Sequence, residues 1–355
     1  MKFDATRYAE LQSIIASLPN PVVALDRQEI VVACNDAARD LAPALRIGEP
    51  FSLAWRTPSL LAAMRAVAAT GTSQKLELWD RVPAERWHEV HIAGVGQATS
   101  PDPFGILLMV FHDITPLRRS EEMRADFVAN ASHELRTPLA SLLGFIETLQ
   151  GKARDDPNAR ERFLAIMHAQ ARRMTRLIDD LLSLSRIELK EHVRPDGEVE
   201  LLGVVRQVID MMQTLARDRG VEIQTAMTAE PVYVRGDRDE LIRVFENLVE
   251  NALKYAASGK RVDLTVTPDN SEVAIAVRDY GPGIAPEHLP RLTERFYRVD
   301  AVHSRSEGGT GLGLALVKHI LSHHGGRLSI ASTPGAGATF IAHLPLVREG
   351  AAIPT

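Results

Sequence analysis

Two long segments of this chain carry mostly apolar residues at a seven-residue spacing, and this pattern constrains the fold more than any other feature. In the first segment the repeating residues are Val128, Leu135, Leu142 and Leu149, with Leu139 and Ile146 between them. In the second they are Phe163, Gln170, Leu177 and Leu184, with Met167, Met174 and Leu181 between them. The spacing predicts two amphipathic helices, and the Gly, Asp and Pro residues of 151–158 predict a turn between them. Because one such hairpin buries little apolar surface, we expect two chains to form a four-helix bundle.

The composition is that of an ordinary globular protein. A chain of 355 residues should hold about two or three domains of the usual size, and its 45% hydrophobic and 25% charged content is typical of soluble domains. The net charge of −5 gives no sign of a nucleic-acid partner, which would require a basic patch. Cys34 is the only cysteine, so an internal disulfide is excluded and a reducing compartment fits.

One uncharged run, residues 328–347, is long enough to consider as a membrane span. It contains Pro334, Gly335, Gly337 and Pro345, which would leave backbone groups unpaired in lipid. We therefore predict two strands joined by a turn, and no transmembrane helix. The charged N-terminus does not have the pattern of a signal peptide. The expected location is cytoplasmic, with peripheral association with the inner membrane left open.

Residues 130–139 place a histidine, His133, beside the carboxylate of Glu134, with the hydroxyl of Thr137 one turn further on. The apolar seam of the first helix predicts that His133 faces outward. A neutral imidazole, with a pKa near ~6.5, can attack a γ-phosphorus in line. An ordinary exposed histidine is the alternative, and the choice between the two depends on whether the chain also has a nucleotide site.

Residues 247–255 supply a first candidate element of such a site. Asn247 and Asn251 lie four positions apart on a predicted helix, so both amides face the same way. Mg²⁺ bound to ATP needs only one or two protein oxygens. We predict that Asn251 is the metal ligand and that Asn247 supports it near the phosphates. Lys254 could pair with a phosphate as a point charge, and Tyr255 could lie against the nucleotide.

A second element is the segment 279–283. The carboxylate of Asp279 could accept a hydrogen bond from an adenine amino group, and Gly281 and Gly283 let the chain turn tightly against the ring. A plain turn at the end of a strand is the alternative, because this short motif is weak evidence alone.

The third element is a glycine-rich loop, with Gly309, Gly311 and Gly313 at every second position before a predicted helix. Such a loop can bring backbone N–H groups and a helix N-terminus onto phosphates, and it can move as a lid. We assign Thr310 and Leu312, which lie between the glycines, to the same cofactor-binding loop.

With these blocks in this order, residues 115–347 resemble a sensor histidine kinase of two-component signalling. The resemblance implies that Glu134 fixes the tautomer of His133 and accepts its proton. It implies that Thr137 orients a water that hydrolyses the phosphorylated partner. Residues 294–298 resemble the aromatic box of the family, which makes Arg298 a candidate contact of the γ-phosphate. ATP and Mg²⁺ are the implied cofactors.

The fold that the resemblance implies is multidomain α+β. Residues 1–115 resemble a PAS sensory module more loosely, with an unrelated α+β domain as the alternative. Residues 116–126 would form a linker or transmission helix, and residues 127–192 the dimerisation and phosphotransfer hairpin. Residues 198–348 would form an α/β sandwich of the GHKL/Bergerat ATPase type.

The predicted function is a homodimeric kinase that phosphorylates itself on His133 and passes the phosphoryl group to an aspartate of a response regulator. A phosphatase activity on that regulator, and a small-molecule or protein input at the PAS-like module, belong to the same expectation. The chain looks closest to phosphate-regulon sensors.

The alternatives are an ATPase clamp of the gyrase type and a non-catalytic scaffold. Gyrase-type relatives carry a glutamate at the position of Asn247, and since a neutral amide cannot act as a base, kinase is favoured. Glu246, the next residue, is expected to point about 100° away on the helix.

Two adjacent histidines, His323 and His324, could suggest a metal site. They are followed by Gly325 and Gly326, so we interpret them as the end of a helix that glycine terminates.

Overall fold

The computed structural model describes residues 5–80, 85–95, 105–151, 153–189, 193–256, 259–299 and 309–347. The chain divides into two compact units, Met1–Asp126 and Phe127–Thr355. None of the helices in the described ranges is long and apolar enough to cross a membrane.

The first unit is built on a five-stranded antiparallel sheet with the strand order β2-β1-β5-β4-β3. The strands are β1 (Val22–Leu25), β2 (Val31–Cys34), β3 (Gln74–Asp80), β4 (Arg86–Val95) and β5 (Ile106–Asp113). The helices are α1 (Ala5–Ala16), α2 (Asp36–Leu41), α3 (Phe51–Ala54) and α4 (Pro58–Thr70). Helices α3 and α4 were not predicted from the sequence. The result is a small α/β module, and its identity as a PAS domain stays a prediction.

Helix α5 (Thr115–Gln150) begins at hydrogen bonds with the sheet. The Asp113 carboxylate accepts a bond of 2.8 Å from the N–H of Thr115. The Thr115 hydroxyl in turn accepts one of 2.8 Å from the N–H of Trp87 on β4. The expectation that the charged segment 116–126 is helical is confirmed.

Helix α5 and helix α6 (Pro157–Leu189) form the predicted hairpin. The rings of Phe145 on α5 and Phe163 on α6 contact each other, with centroids 5.1 Å apart. Leu177 is buried, and Leu184 is buried in a core that also contains Val199 and Leu201. Several large apolar side chains of the hairpin are exposed in the single chain: Val128, Leu139, Leu143, Ile146, Leu164, Ile178 and Leu182.

The rest of the second unit is the expected α/β sandwich. Its main sheet has the order β11-β12-β10-β9-β7, in which β7 and β9 are parallel and the other neighbours antiparallel. The strands are β6 (Glu198–Glu200), β7 (Glu222–Met227), β8 (Tyr233–Arg235), β9 (Arg261–Pro268), β10 (Glu272–Asp279), β11 (Arg327–Ser332) and β12 (Ala338–Pro345). The helices are α7 (Leu201–Arg219), α8 (Arg238–Tyr255) and α9 (Gly313–His323). Helix α8 packs against α7, α9 and the sheet.

Helix α8 is central because it carries four of the candidate site residues. The carboxylate of Asp237 caps it by accepting hydrogen bonds from the N–H groups of Asp239 and Glu240. Its apolar face, which includes Phe245 and Leu248, is fully buried. The amphipathic pattern therefore fixes which face of the helix the asparagines occupy.

Candidate nucleotide and phosphoacceptor site

A cavity of about 890 Å³ lies beside α8 and the start of α9, which is a volume typical of small-molecule sites. The candidate residues that line it are Asn247, Asn251, Lys254, Tyr255, Asp279, Gly283, Arg298, Gly309, Thr310, Gly311 and Gly313. The side chain of Leu312 is buried, and neither Leu312 nor Gly281 belongs to the lining.

The amide of Asn247 packs against the start of α9. Its Nδ2 donates a hydrogen bond of 2.8 Å to the backbone oxygen of Arg243. A Cβ atom added to Gly313 would lie 2.4 Å from its Oδ1, so a larger residue at 313 would displace the Asn247 amide. Asn251 lines the cavity one turn further along α8.

The ammonium group of Lys254 is not an isolated charge. Its Nζ lies 2.9 Å from Glu250 Oε1, and the side chain is only 10% exposed. The same Glu250 oxygen lies 3.6 Å from Arg176 Nη1 on α6. A phosphate that binds Lys254 would therefore compete with Glu250.

Asp279 is the most enclosed carboxylate at the cavity, with 4% of the residue exposed. Its Oδ1 accepts hydrogen bonds from the N–H groups of Gly281, at 2.9 Å, and Ala338, at 3.2 Å. Burial raises the pKa of the Asp279 carboxyl, and these backbone bonds oppose the rise. The carboxylate is thus held rigidly at the end of β10.

Two glycines of the site adopt backbone conformations that other residues rarely adopt. Gly283 has a φ of +71°, and a Cβ there would lie 2.2 Å from the backbone oxygen of Thr333. Gly311 has a φ of +75°, and a Cβ there would lie 2.9 Å from the backbone of Phe296. Both turns therefore depend on glycine.

The glycine-rich loop contacts the helical hairpin. The Thr310 hydroxyl donates a hydrogen bond of 2.8 Å to Asp180 Oδ2 on α6. Burial raises the pKa of the Asp180 carboxyl, with the bond from Thr310 opposing it. Asp180, Asp179 and Arg176 line the cavity, and sequence reasoning missed all of them, because nothing local distinguishes them from other charged residues of α6.

The phosphoacceptor candidate His133 is exposed on α5, as its distance from the apolar seam predicts. Thr137 is also exposed, and its hydroxyl donates a hydrogen bond of 3.2 Å to the backbone oxygen of His133. The two side chains share one face of the helix, since four residues make about one turn.

The carboxylate of Glu134 contacts two arginines. Its Oε2 lies 3.0 Å from Arg298 Nη2 and 3.1 Å from Arg173 Nη2, and its Oε1 lies 3.4 Å from Arg298 Nη1. Successive side chains on an α-helix point about 100° apart, so Glu134 faces α6 and Arg298 while His133 faces outward. A contact between Glu134 and the ring of His133 stays a prediction.

Arg298 connects the acceptor helix to the glycine-rich loop. Besides its ion pair with Glu134, its Nη2 donates a hydrogen bond of 2.8 Å to the backbone oxygen of Thr310. The side chain is 7% exposed, and its Nε is buried without a hydrogen-bond partner among the described residues. A buried donor without a partner is costly, and Arg298 lines the cavity.

Aromatic contacts reinforce this junction. The rings of Phe127 on α5 and Phe296 have centroids 6.0 Å apart, and the guanidinium of Arg295 lies 5.1 Å from the centroid of Phe127. The segment 294–298, selected from the sequence as an aromatic box, therefore contacts the acceptor helix as well as the cavity.

The histidine pair at the end of α9 is bonded within the fold. His324 Nδ1 lies 2.8 Å from the oxygen of Ile320, and its Nε2 accepts a hydrogen bond of 3.0 Å from the N–H of Asp237. His323 Nδ1 lies 3.1 Å from Glu240 Oε2. The side chains of Glu240, His323 and His324 lie close enough together to bind a metal ion. Both ring nitrogens of His324, however, already contact backbone groups of the fold. This favours the structural interpretation made from the sequence.

Two protein families match this chain. The family described as "Histidine kinase-, DNA gyrase B-, and HSP90-like ATPase" matches residues 236–348. The family described as "His Kinase A (phospho-acceptor) domain" matches residues 123–190. The first match supports ATP as the bound nucleotide.

Curated relatives extend the match beyond these domains. The phosphate regulon sensor protein PhoR of Pseudomonas aeruginosa is 42% identical over 66% of this chain and 53% of the relative. The sensor-like histidine kinase SenX3 of Mycobacterium tuberculosis is 32% identical over 96% of this chain and 80% of the relative. The sensor histidine kinase WalK of Bacillus subtilis is 30% identical over 96% and 56%, respectively. The chain therefore spans about half the length of PhoR and WalK.

Proposed function

This chain belongs to the sensor histidine kinases, and from that premise we propose that it uses ATP to phosphorylate His133. The phosphoryl group then passes to an aspartate of a response regulator. The observation that carries the proposal is that the helical hairpin which bears His133 also closes the cavity: Arg176 and Asp180 of α6 line it together with Asn251. Acceptor helix and nucleotide site thus belong to one compact unit.

The hydrogen bonds of Asp279 suggest how the nucleotide is oriented in the cavity. Both backbone bonds to Asp279 end on Oδ1, so we assign Oδ2 to the adenine amino group. The apolar lining residues Ile284, Leu292 and Phe340 would contact the base. The phosphates would then lie toward Lys254, Arg298 and the N-terminus of α9, where cationic groups and backbone N–H groups favour anions.

Mg²⁺ is assigned to Asn251, whose amide oxygen is a hard ligand that the metal prefers. When bound, the cation would offset the negative charge of the phosphates and of Glu250 and Asp180, which line the cavity. Asn247 would support it from the preceding turn of α8.

A second candidate function, ATP hydrolysis, is favoured by one observation. Glu246, which is expected to point about 100° away from Asn247 on the helix, also lines the cavity. Burial also raises the pKa of its carboxyl, which makes it a stronger base when ionised. The kinase stays the better supported activity, because the residue at 247 is an amide and the hairpin supplies an exposed histidine.

The transfer step assigns roles to the acceptor segment. The ring nitrogen of His133 attacks the γ-phosphorus as the bond to the ADP oxygen breaks, and Glu134 accepts the ring proton. Thr137, on the same face of α5, would orient the water that hydrolyses the aspartyl phosphate of the regulator to aspartate and inorganic phosphate.

Two kinds of partner are proposed, a second copy of the chain at the hairpin and an input signal at the first unit. A second copy would cover the exposed apolar side chains of the hairpin, which include Val128, Leu139 and Ile146, in a four-helix bundle. Residues 1–115 would receive a small-molecule or protein signal as a PAS-like module, and residues 116–126 would transmit it. The identity with PhoR favours a phosphate-responsive pathway.

Labelling with γ-³²P-ATP tests this function. A kinase becomes labelled with acid-labile, base-stable phosphate. It then transfers this label to its cognate regulator in a panel of purified regulators. An ATPase clamp instead releases inorganic phosphate without a labelled protein. Substitution Glu246→Gln separates the two, since it would abolish hydrolysis by a clamp and leave self-labelling in place.

A further inference from the structure

The carboxylate of Glu134 receives two guanidinium groups on the same oxygen. Arg298 Nη2 lies 3.0 Å from Oε2 and Arg173 Nη2 lies 3.1 Å from it. All three side chains are largely shielded from solvent, with exposed fractions of 7%, 15% and 17% for Arg298, Arg173 and Glu134, respectively. The Coulombic attraction within an ion pair is stronger where water does not screen it.

The two arginines belong to different parts of the fold. Arg173 lies on α6, in the same hairpin as Glu134 and His133. Arg298 lies in the ATP-binding domain, bonded to the glycine-rich loop through Thr310. Any movement of that domain relative to the hairpin changes the distance from Glu134 to Arg298 and leaves Arg173 in place.

A bound nucleotide would compete with Glu134 for the guanidinium of Arg298. A γ-phosphate in the cavity carries more negative charge than one carboxylate, and it offers an acceptor to the buried Nε. As Arg298 turns toward the phosphate, Glu134 loses the first of the two guanidinium contacts described above. Arg173 then becomes the partner that keeps the carboxylate ordered.

We propose that Arg173 is a positioning residue for phosphoryl transfer, acting through Glu134. This rests on the proposed kinase function. The guanidinium holds Oε2, so Oε1 is the oxygen that receives the proton. In the transfer, a His133 ring nitrogen forms a bond to the γ-phosphorus, the bond from that phosphorus to the bridging oxygen breaks, and ADP leaves with the electron pair. The proton of the other ring nitrogen moves to Glu134.

The competing interpretation is that Arg173 only ties α5 to α6. The two interpretations differ in what Arg173 does once Glu134 is neutral. A positioning residue has no effect on the rate when the group that it positions is gone, whereas a helix tie keeps its effect.

The test uses the full chain with Arg173→Met, which keeps an apolar stem of similar length, and Arg173→Lys, which restores the charge. Arg172→Met is the matched control, because Arg172 is the exposed neighbour on α6. We expect Arg173→Met to lower the maximum self-labelling rate by about 10-fold, the order of effect of a displaced reacting group. The half-saturating ATP concentration should not change, since Arg173 does not line the cavity. Arg173→Lys should recover part of the rate, and Arg172→Met should equal the wild type.

The decisive measurement repeats Arg173→Met in a Glu134→Gln background. We expect no further loss there. An equal loss in both backgrounds, or no loss in either, overturns the proposal, and so does a faster rate. If labelling survives His133→Gln, the kinase assignment itself fails; if His133→Gln abolishes it and Arg173→Met does not slow it, only the role of Arg173 fails.

Discussion

Glu134 and Arg298 are joined by an ion pair of 3.0 Å across 164 positions of the sequence. Glu134 follows the candidate phosphoacceptor directly, and Arg298 lines the nucleotide cavity. In this arrangement the arginine that could bind a phosphate is held by the carboxylate that would take a proton from the acceptor. With the roles proposed for these two residues, ATP binding and activation of the acceptor would be linked through this contact, which would break before transfer.

That contact predicts opposite effects of Glu134→Gln on binding and on transfer. Removal of the negative charge releases Arg298, so Mg·ATP should bind about threefold to tenfold more tightly, equivalent to roughly 1 kcal/mol. Self-labelling should fall by on the order of 100-fold, because the base is lost. Fluorescence titration in a His133→Gln background measures the affinity without turnover. Glu147→Gln, an exposed glutamate on the same helix, is the control. Unchanged or weaker binding in Glu134→Gln would show that Arg298 is not restrained by this pair.

The acceptor assignment predicts that His133→Gln abolishes self-labelling and leaves nucleotide affinity intact. The side chain is exposed on α5, and its removal touches no lining residue of the cavity. Acid-labile phosphate in the variant is the measurement. His168→Gln changes another exposed histidine of the hairpin and should label normally. Retained label in His133→Gln would move the acceptor elsewhere.

The metal assignment predicts that Asn251→Ala loses Mg²⁺-dependent labelling while the fold persists. The phosphate charge at the transferring group would then be uncompensated. Labelling across a Mg²⁺ titration measures the loss, and circular dichroism checks the fold. Asn270→Ala, at an exposed turn of the same domain, is the control. Normal labelling at all Mg²⁺ concentrations in Asn251→Ala would exclude this residue as the ligand.

The Thr137 assignment separates the two activities of the acceptor helix. Thr137→Ala should keep self-labelling within about twofold, since the transfer chemistry needs the imidazole and ATP. It should slow dephosphorylation of the regulator by about 10-fold or more, because the hydroxyl places the water. Decay of the labelled regulator is the measurement, and Thr137→Ser, which retains the hydroxyl, should behave as wild type. Equal decay with Thr137→Ala would remove Thr137 from that role.

Local patterns account for the parts of the structure that the sequence predicted. The helical period places Asn247 and Asn251 on the face of α8 that meets the cavity. Helix α4 was missed although Pro58 at its first turn and Gly71 at its C-cap are typical signals, because its Ala-rich sequence has a weak amphipathic pattern.

Contacts between distant segments account for what the sequence could not predict. The bond from Thr310 to Asp180 spans 130 positions, and the ion pair of Glu134 with Arg173 spans 39. Any of several charged residues on α6 could have faced the cavity, and the choice depends on how the hairpin packs against the sandwich. Tertiary packing, which no local period encodes, decides it.

His324 predicts how the ATP-binding domain responds to acid. Its Nε2 accepts a hydrogen bond from the N–H of Asp237, the cap of α8. Protonation of Nε2 would break this bond, because it would place a second N–H donor against that of Asp237. Burial lowers the pKa of His324; Glu240 and Asp237 oppose this, and His323 adds to it. The neutral form is favoured in the folded chain, so this residue has no effect on stability above about pH 6.5 and destabilises the fold progressively as the pH falls below that value.

We therefore expect His324→Gln, whose amide oxygen can accept from Asp237, to reduce the acid sensitivity of the ATP-binding domain. Urea unfolding of the wild type and the variant, followed by loss of nucleotide binding at about pH 7.5 and about pH 5.5, gives the difference. Comparison of the two proteins removes the contribution of other groups, including Asp180, whose raised pKa acts in the opposite direction. The wild type should lose more stability on acidification than the variant, by up to about 1 kcal/mol. Equal losses would show that the bond from Asp237 to His324 does not titrate in this range, and that another group controls the acid response of α8.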